Sequence, residues 1–317
     1  MHTDTTAFTI TYIIINHNTE KLTLRCIDSV RKNSVSGCEI IVFDNGSEEE
    51  NIRNLEKRDD ILFLASKKNL GFARACNRAF EKSSGEFVCF INSDAELKTE
   101  VDELIGFLRS DDNAAAAGAT LLNSDGSEQN SFGKTPCFLT EIFNKSLLKI
   151  FLGKSFSQKA KQMSEPFEVE SLVGAFMVVK SRIFRELGGF DERYFFFFEE
   201  SDFFLRARGA GYKIFMFPGV KVVHFQGKTA GVKLLHARAE YYLSRYKYFR
   251  KHHGHSGESA LKTCLIVLLL SRSILYLAGN LATVFLIKDL RDKLILSGYL
   301  FLWHLLGLRR NWGLTNE

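Results

Sequence analysis

The amino-terminal part of the chain alternates between short apolar runs and amphipathic segments, and this alternation restricts the fold more than any other feature. Four runs rich in β-branched and aromatic residues predict buried strands: FTITYIII (8–15), CEIIVFD (38–44), ILFLAS (61–66) and EFVCFI (86–91). Three segments with helical spacing of apolar residues separate these runs: 19–33, 47–58 and 70–83. Strands and helices in this order predict an α/β fold with a parallel sheet and helices on both faces.

Polar side chains follow the predicted strands. Ligands of parallel sheets bind outside the carboxyl ends of the strands, so these residues form the candidate lining of a site: Asn16, Asn18, Asp44, Asn45, Ser47, Asn69, Gly71, Asn92, Ser93 and Asp94. Each is also a common turn or capping residue, and any single loop fits that structural role equally well. Four such loops on one sheet edge favour a nucleotide site. The sequence has neither G-x-G-x-x-G after the first strand nor G-x-x-x-x-G-K-[ST], which argues against dinucleotide-binding and P-loop proteins.

The later segments continue this mixed pattern less regularly. Expected elements are a strand and hairpin over 113–134, a strand and short helix over 170–190, a helix over about 200–210, strands over 212–217 and 220–225, and a basic amphipathic helix over 232–254. The mixed segment 135–168 is expected to carry a loop or short helices over the site.

The segment FFFFEESDFFLRARGAGY (195–212) places Glu199, Glu200 and Asp202 directly after four phenylalanines. An aromatic wall shields a carboxylate from water, which raises its pKa. The alternative is that the phenylalanines form core and the acids cap the positive end of a helix. Asp202 and Arg206 have i,i+4 spacing, which predicts an ion pair between them.

Seven motifs, in this order, resemble the inverting family 2 glycosyltransferases of GT-A fold, in particular their rhamnosyltransferase-like bacterial members: IIINHN, IIVFDNGS, NLGFARACN, FVCFINSDAEL, VGAFMVVKS, LGGFDERYFFFFEESDFFLRARGAGYKI and VVHFQGKT. The resemblance implies a Rossmann-like, mixed and mostly parallel sheet flanked by helices, with a C-terminal helical extension. It implies a glycosyltransferase domain over 1–230, with a nucleotide-sugar half over about 1–112 and an acceptor half over about 113–230. A basic amphipathic helical region would cover 231–317.

The resemblance also implies roles for individual residues. Asp44, Asn45 and Ser47 would contact the base and ribose of a nucleotide-sugar donor, and the other implied donor-binding residues are Asn16, Asn18, Asn69, Gly71, Asn77, Asn92 and Ser93. Asn92-Ser93-Asp94 stands where the family has D-x-D, which makes Asp94 the implied ligand of a divalent metal, Mg²⁺ or Mn²⁺. His224, in H-x-x-G-x-T (224–229), is implied as a second ligand, with a structural strand-end histidine as the alternative.

The family's general base is the second member of an acidic pair that follows an aromatic segment, which implies Glu200. Glu199 is the other candidate, and it could instead hold the start of the helix or contact the acceptor. Asp202 completes the implied catalytic set. Gly174 and Ala175 resemble the small-residue segment beneath donor sugar and acceptor, with plain strand packing as the alternative. The basic helix is predicted to present four residues to the acceptor's phosphate: Tyr241, Tyr242, Arg245 and Lys247.

Charge is distributed unevenly along the chain. Residues 221–317 carry 15 Lys and Arg against 5 Asp and Glu, a net charge of +10 in a chain whose total is +5. The segments 261–287 and 292–310 are strongly apolar but interrupted by polar residues such as Arg272. Helices that lie on a membrane surface are therefore favoured over membrane spans, and the long apolar runs favour a membrane over nucleic acid. A helical bundle or a dimer interface is the alternative.

The six cysteines are scattered without a C-x-x-C pair, which indicates reduced thiols in a cytosolic protein, and MHTDTTAFTI has no secretory-signal pattern. Together with the resemblance, these features predict an inverting, metal-dependent glycosyltransferase peripheral to the inner face of the cell membrane. The predicted donor is dTDP-rhamnose or a UDP-linked sugar, and the acceptor is a saccharide or a polyprenyl-diphosphate-linked sugar in cell-surface polysaccharide synthesis. Alternatives are a nucleotidyltransferase, for which NHNTEK offers only Lys21 as a triphosphate-binding cation, and a non-catalytic membrane-associated sugar-binding scaffold.

Overall fold

The structure, a computed structural model, describes residues 8–34, 37–142, 163–225, 234–308 and 314. The chain divides into two compact units. The first comprises Met1–Pro136, Lys145–Glu192 and Glu199–Thr229, and the second comprises Cys137–Asn144, Arg193–Phe198 and Ala230–Glu317. The last break in this division falls beside the predicted domain boundary at residue 230. Two short segments of the predicted first domain belong to the second unit instead.

The first unit is built on a mixed sheet. Its strands, and those of a small second sheet, are β1 (Phe8–Asn16), β2 (Glu39–Asn45), β3 (Leu62–Ser66), β4 (Gly85–Ile91), β5 (Ala95–Leu97), β6 (Ala114–Leu122), β7 (Phe132–Gly133), β8 (Phe167–Val169), β9 (Ser171–Leu172), β10 (Phe176–Lys180) and β11 (Lys213–His224). The order in the main sheet is β3-β2-β1-β4-β10-β6-β11-β5, with β8 beside β11, while β7 pairs with β9. Strands β3, β2, β1 and β4 are parallel, and β10 is antiparallel to both its neighbours. The predicted α/β class is confirmed.

Helices cover both faces of this sheet, and further helices form the second unit. They are α1 (Glu20–Asn33), α2 (Phe72–Phe80), α3 (Asp102–Ser110), α4 (Phe138–Ile142), α5 (Ser181–Glu186), α6 (Glu199–Gly209), α7 (Leu234–Ala282) and α8 (Lys288–Leu305). Successive residues of a strand point to opposite faces. Accordingly, Tyr12 packs in the cluster that contains residues of α1 and α3, while Ile13 packs with residues of α2, α5 and α6.

The second unit is helical and contains a hairpin of α7 and α8. Helix α7 is interrupted at Gly254, whose φ of 71° is outside the helical region. The two helices run antiparallel, because Asn280 Nδ2 donates to Leu290 O at 2.9 Å while the Tyr246 hydroxyl contacts His304 Nε2 at 2.6 Å. Within the described residues, α7 is the helix whose length and composition would allow it to cross a membrane. Only 17% of its most apolar 18-residue stretch is buried, so packing within the chain does not account for this apolar surface.

The helix predicted over 47–58 is wrong. A 3₁₀ turn over Glu49–Asn51 and further turns stand in its place. A tertiary hydrogen bond takes a backbone group that a helix would need, because Asn54 N donates to Glu20 Oε1 at 2.6 Å. Glu48 N, which would lie in the unpaired first turn of such a helix, donates to Asn18 Oδ1 at 2.9 Å and ties the segment to the loop after β1. Side chains from α1 and its preceding loop therefore override the local helical pattern.

Two further boundaries differ from the sequence prediction. The strands predicted over 212–217 and 220–225 form the single strand β11, because both halves pair with β6 across a register shift between Phe217 and Lys221. Pro218 and Gly219 make this irregularity, which fits their tolerance for bulges. The helix predicted over 232–254 is part of α7, which continues to Ala282 with a kink at Gly254. Much of the segment predicted as mixed over 135–168 lies outside the described residues.

All six cysteines are free, as predicted. Burial raises the pKa of the Cys26, Cys76 and Cys89 thiols, so these three stay protonated and unreactive.

Candidate active site

The loops after β1 and β2 are joined by a network centred on Asp44. The Asp44 carboxylate is buried, and its Oδ1 accepts a hydrogen bond from Asn16 Nδ2 at 2.8 Å. Its Oδ2 accepts from the backbone N–H of Ser47 at 3.0 Å. Ser47 Oγ in turn accepts from the backbone N–H of Asn18 at 2.8 Å. These bonds fix the carboxylate at the sheet edge where the sequence predicts a nucleoside-binding residue.

The loop before α2 joins the same network through Asn45. Asn45 Nδ2 donates to Asn69 Oδ1 at 3.0 Å, and Asn45 Oδ1 accepts from the Leu70 N–H at 2.8 Å. Gly71 N donates to Asn69 Oδ1 at 3.0 Å. Gly46 makes this approach possible, because a Cβ at its position would lie 2.5 Å from the carbonyl carbon of Lys68.

The loop after β4 is connected through Thr19. Thr19 Oγ1 lies 3.1 Å from both Asn16 Oδ1 and Ser93 Oγ. The four polar loops predicted from the sequence therefore converge on one edge of the sheet.

Asp94 and His224 face each other next to this network. His224 Nε2 lies 3.4 Å from Asp94 Oδ1, and both side chains are buried. Strand β11 places them together because His224 pairs with Ala95 of β5. The remainder of the H-x-x-G-x-T motif lies outside the described residues.

The Asp94 carboxylate suits either Mg²⁺ or Mn²⁺, and the His224 imidazole suits Mn²⁺ better than the harder Mg²⁺, so the two donor atoms fit Mn²⁺. No group of three or more His, Cys, Asp or Glu with metal-binding geometry occurs in the described part of the chain. The two residues would thus leave most coordination positions to other oxygen atoms, such as those of a diphosphate or water.

Glu200, in the first turn of α6, lies beside the turn between β9 and β10 that carries Gly174 and Ala175. A Cβ at Gly174 would lie 3.8 Å from Glu200 Cγ. Ala175 O accepts from the Asn92 N–H at 3.0 Å, which places this segment next to the Asn92-Ser93-Asp94 loop. The predicted base and the predicted metal ligand therefore belong to adjoining segments of one sheet edge.

The environment of Glu200 differs from that of an ordinary surface acid. Its Oε2 is buried and has no hydrogen-bond partner among the described residues. Burial raises the pKa of Glu200 from its ordinary value of 4.5 to about 6. Within the second unit, the Phe197 ring meets Tyr241 edge-on and the Phe198 ring makes tilted contacts with Tyr241 and Tyr248. Phe198 is buried, which gives it a core role.

Asp202 forms the ion pair predicted from its spacing. Arg206 Nε donates to Asp202 Oδ2 at 2.8 Å, and the Asp202 side chain is fully buried. Arg206 also donates to the backbone carbonyls of Leu187 and Gly189. This arrangement supports a structural role for Asp202. The resemblance had instead implied a catalytic role for it, together with Glu200.

Three other predicted site residues have contacts of a different kind. The Asn77 amide donates to Phe190 O at 2.8 Å and accepts from Phe190 N at 3.0 Å, so it holds that loop against α2 rather than facing the donor loops. Arg245 is buried in the second unit, where its Nε lies 2.8 Å from Glu141 Oε2. Tyr242 is buried beside it, with the Arg245 guanidinium 4.8 Å from the ring centroid.

Sequence patterns did not identify Thr19, His17 and Gln129 as site residues. Thr19 precedes α1, so its N-cap position was the available signal. His17 Nδ1 contacts Asn45 O at 3.1 Å, and its position in IIINHN was a second signal. Gln129 contacts His224 across 95 residues, and no local pattern points to such a pair.

The sheet and the loops at its edge define a fold of the GT-A glycosyltransferase class. The mannosyltransferase PcManGT from Pyrobaculum calidifontis, solved with GDP-Man and Mn²⁺, superimposes with a TM-score of 0.53 at 17% identity, covering 95% of this chain and 89% of that one. GalNAc-T7, solved with UDP, GalNAc and Mn²⁺, superimposes with a TM-score of 0.57 at 17% identity, covering 77% of this chain and about half (48%) of that one.

The chain belongs to Glycosyl transferase family 2, whose sequence profile matches residues 11–188. Among its relatives is the N-acetylglucosaminyl-diphospho-decaprenol L-rhamnosyltransferase of Mycobacterium tuberculosis, 25% identical over 76% of this chain and 84% of the relative. The dTDP-rhamnosyl transferase RfbF of Shigella flexneri is 21% identical over 70% of this chain and 72% of the relative. This membership favours glycosyl transfer over nucleotidyl transfer.

Proposed function

We propose that this protein is an inverting, metal-dependent glycosyltransferase that moves a sugar from a nucleotide donor, with dTDP-rhamnose as first candidate, to a lipid-linked saccharide. The observation that carries the proposal is the position of Glu200. Its buried, unpartnered carboxylate oxygen lies beside the segment that adjoins the Asp94 loop. A base and a diphosphate-binding edge on one sheet are what a single displacement at an anomeric carbon requires.

Glu200 takes the proton of the acceptor hydroxyl while that oxygen attacks the anomeric carbon. The bond to the leaving diphosphate breaks on the opposite face, so one displacement inverts the configuration. The pKa of about 6 suits this step, because the carboxylate is ionised at neutral pH and more basic than an exposed glutamate. Gly174 supports it, because the absence of a side chain leaves space beside Glu200.

The donor binds across the four loops in this proposal. Asp44, held by Asn16 and Ser47, accepts hydrogen bonds from the nucleoside. Asp94 and His224 would hold a divalent metal, which would supply positive charge to the leaving diphosphate. Two solved GT-A structures with the same fold contain Mn²⁺ with a nucleotide or nucleotide sugar, which supports the assignment.

The second unit is proposed to attach the protein to a membrane from the cytoplasmic side. The turn between α7 and α8 exposes Val284 and Leu286 by 75% and 81%. Val284 and Phe285 have φ values of 49° and 57°, which are unusual for such residues, and Phe285 N donates to Asn280 O at 2.7 Å. An apolar tip held in this costly conformation fits insertion into lipid, and the net positive charge of the C-terminal region fits an anionic surface.

A cavity of about 510 Å³ in the second unit supports a phosphate-bearing acceptor. Its lining contains four cations and one acid: Arg193, Lys247, Arg250, Lys262 and Glu258. Glu258 pairs with Lys262 at 2.6 Å and lies 3.8 Å from Arg250, so the lining keeps an excess of positive charge, while Arg245 is paired with Glu141. We therefore assign the acceptor's phosphate to the cavity cations in place of Arg245 and Tyr242. The diphospho-decaprenol named for the M. tuberculosis relative is an acceptor group of this chemistry.

The first test is a thermal-shift screen of nucleotide sugars with and without Mn²⁺. We expect one donor to raise the melting temperature strongly only when Mn²⁺ is present, because binding to the folded state stabilises it. Asp94→Asn should lose this metal-dependent rise, since an amide is a much weaker ligand than a carboxylate. Asp112→Asn is the matched control, because it makes the same change in a side chain that is 97% exposed. A metal-dependent rise that survives in Asp94→Asn would contradict the assignment.

The second test concerns the apolar tip. We expect the double variant Val284→Gln, Leu286→Gln to bind vesicles of phosphatidylcholine and phosphatidylglycerol at least about tenfold more weakly, because two large apolar side chains no longer enter the hydrocarbon. Cosedimentation measures this loss. Leu62→Gln is the control, as Leu62 is 40% exposed on an edge strand of the first unit. Unchanged vesicle binding, with a dimer in solution that dissociates in the double variant, would assign the tip to a subunit interface instead.

A further inference from the structure

Gln129 contacts His224 at both its ring and its main chain. The Gln129 side chain is 7% exposed and lies after the turn that follows β6. Its Nε2 donates to His224 O at 2.7 Å and to Asn123 Oδ1 at 2.8 Å, and its Oε1 lies 3.1 Å from His224 Nδ1. The backbone N–H of Gln129 donates to Leu121 O at 2.8 Å, which anchors the residue to the end of β6.

These contacts determine the orientation of the amide. A backbone carbonyl only accepts hydrogen bonds, so the NH₂ group of Gln129 must face His224 O. The amide oxygen then faces His224 Nδ1. Because an amide oxygen also only accepts, Nδ1 must carry the proton in this contact.

The neutral imidazole with a proton on Nδ1 has its lone pair on Nε2. Nε2 is the atom that lies 3.4 Å from Asp94 Oδ1, which is also an acceptor. Asn92 Nδ2, a donor, lies 3.5 Å from Nε2, which is a long contact. A divalent cation bound by both residues would supply the positive charge that two acceptor atoms this close favour.

We infer that Gln129 is a positioning residue that fixes His224 in the Nδ1–H tautomer and so presents Nε2 to the metal. This inference rests on the metal-dependent function proposed above. If Gln129 only stabilised the hairpin, its hydrogen bond to Asn123 would be sufficient. Gln129 also contacts both the ring and the main-chain carbonyl of His224. Partners of this kind orient metal-binding histidines and affect metal affinity without touching the metal.

The test compares Gln129→Met with wild type in the full-length protein. The free Mn²⁺ signal in electron paramagnetic resonance gives the affinity, with pyrophosphate added as the diphosphate probe. We expect Gln129→Met to bind Mn²⁺ about 10- to 100-fold more weakly, as is typical when the partner of a metal-binding histidine is removed. Ser127→Ala is the matched control, because it alters the same exposed turn without touching His224.

A second readout separates orientation from general loosening of the hairpin. Nitrogen-15 NMR of histidine-labelled, metal-free protein reports which ring nitrogen carries the proton, and His224→Ala assigns the signal. We expect a single Nδ1–H form in wild type and a mixture in Gln129→Met. Gln129→Glu keeps an acceptor at Nδ1 but loses the donor to His224 O, so it should keep the Nδ1–H form and bind Mn²⁺ more tightly than Gln129→Met but more weakly than wild type.

The outcomes distinguish this inference from the proposed function. If wild type binds Mn²⁺ and His224→Ala loses it, but Gln129→Met has wild-type affinity and tautomer, the positioning role is wrong while the metal site stands. If wild type fails to bind Mn²⁺ even with pyrophosphate, both the metal site and the role of Gln129 are overturned.

Discussion

Glu200→Gln is expected to reduce sugar transfer by about 10²- to 10⁴-fold, the usual contribution of a general base, while donor binding stays at the wild-type level. The amide has nearly the shape of the carboxylate but cannot accept the proton of the acceptor hydroxyl. Transfer is measured with the donor found in the thermal-shift screen, and donor affinity is measured separately by the same shift. Glu192→Gln is the control, because Glu192 is an exposed acid paired with Arg74 at 2.8 Å.

The same substitution has a pH-dependent effect on stability whose sign follows from the pKa. Burial raises the folded-state pKa of Glu200 to about 6, above the ordinary value of 4.5. The stabilising contribution of this raised pKa is fully present below pH 4.5 and is lost as the pH rises through 6. Between these limits wild type should therefore lose roughly 2 kcal/mol of unfolding free energy relative to Glu200→Gln. Urea unfolding of both proteins across this pH range measures the difference.

The pH–rate profile and Glu199 provide the contradicting outcomes. Wild-type kcat/KM should fall as the pH drops below about 6, when Glu200 becomes protonated. If Glu199→Gln shows the larger loss of transfer and Glu200→Gln turns over normally, the base is Glu199 and the assignment to Glu200 is wrong. This result would leave the family and the fold unaffected.

Local patterns predict those parts of the structure whose hydrogen bonds are local. All four predicted strands of the amino-terminal half form; β1, β2 and β4 are buried because their runs are apolar on both faces, whereas the edge strand β3 is only half-buried, contrary to the prediction of a buried strand. The pair of Asp202 and Arg206 follows from one turn of helix. The polar strand ends converge because parallel strands place their carboxyl ends at one edge.

Other parts depend on contacts between distant residues, and the sequence alone does not contain them in readable form. The segment 47–58 is predicted as a helix, but the Glu20 carboxylate takes the backbone N–H of Asn54. Asn77 resembles a donor-binding residue in its motif, but Phe190 binds both ends of its amide. Gln129 lies in a hairpin, and no local sequence pattern marks it as a site residue. His224 reaches it because β11 pairs with β5 and β6. In each case tertiary hydrogen bonds decide between structures that are locally similar.

Asp202→Asn is expected to lower the free energy of unfolding by about 3–5 kcal/mol, the usual cost of removing one partner of a buried ion pair. The Asp202 side chain is fully buried. The substitution removes its negative charge, so the Arg206 guanidinium, which is only 23% exposed, loses its counter-charge. Arg206 also bonds the carbonyls of Leu187 and Gly189, so the loop after α5 should loosen together with α6. Urea unfolding measures the loss.

Asp28→Asn is the matched control for this prediction. Asp28 Oδ1 pairs with Arg58 Nη1 at 2.7 Å in the same unit, a distance close to the 2.8 Å of the buried pair, but the Asp28 side chain is 65% exposed. Exposed pairs contribute about 0–1 kcal/mol, so this variant should unfold nearly as wild type does. If Asp202→Asn instead keeps wild-type stability and loses transfer, Asp202 acts in the chemistry and the structural role is wrong. The two substitutions on α6 should therefore have different effects. Glu200→Gln should remove activity and keep the fold, whereas Asp202→Asn should weaken the fold without removing the group that takes the proton.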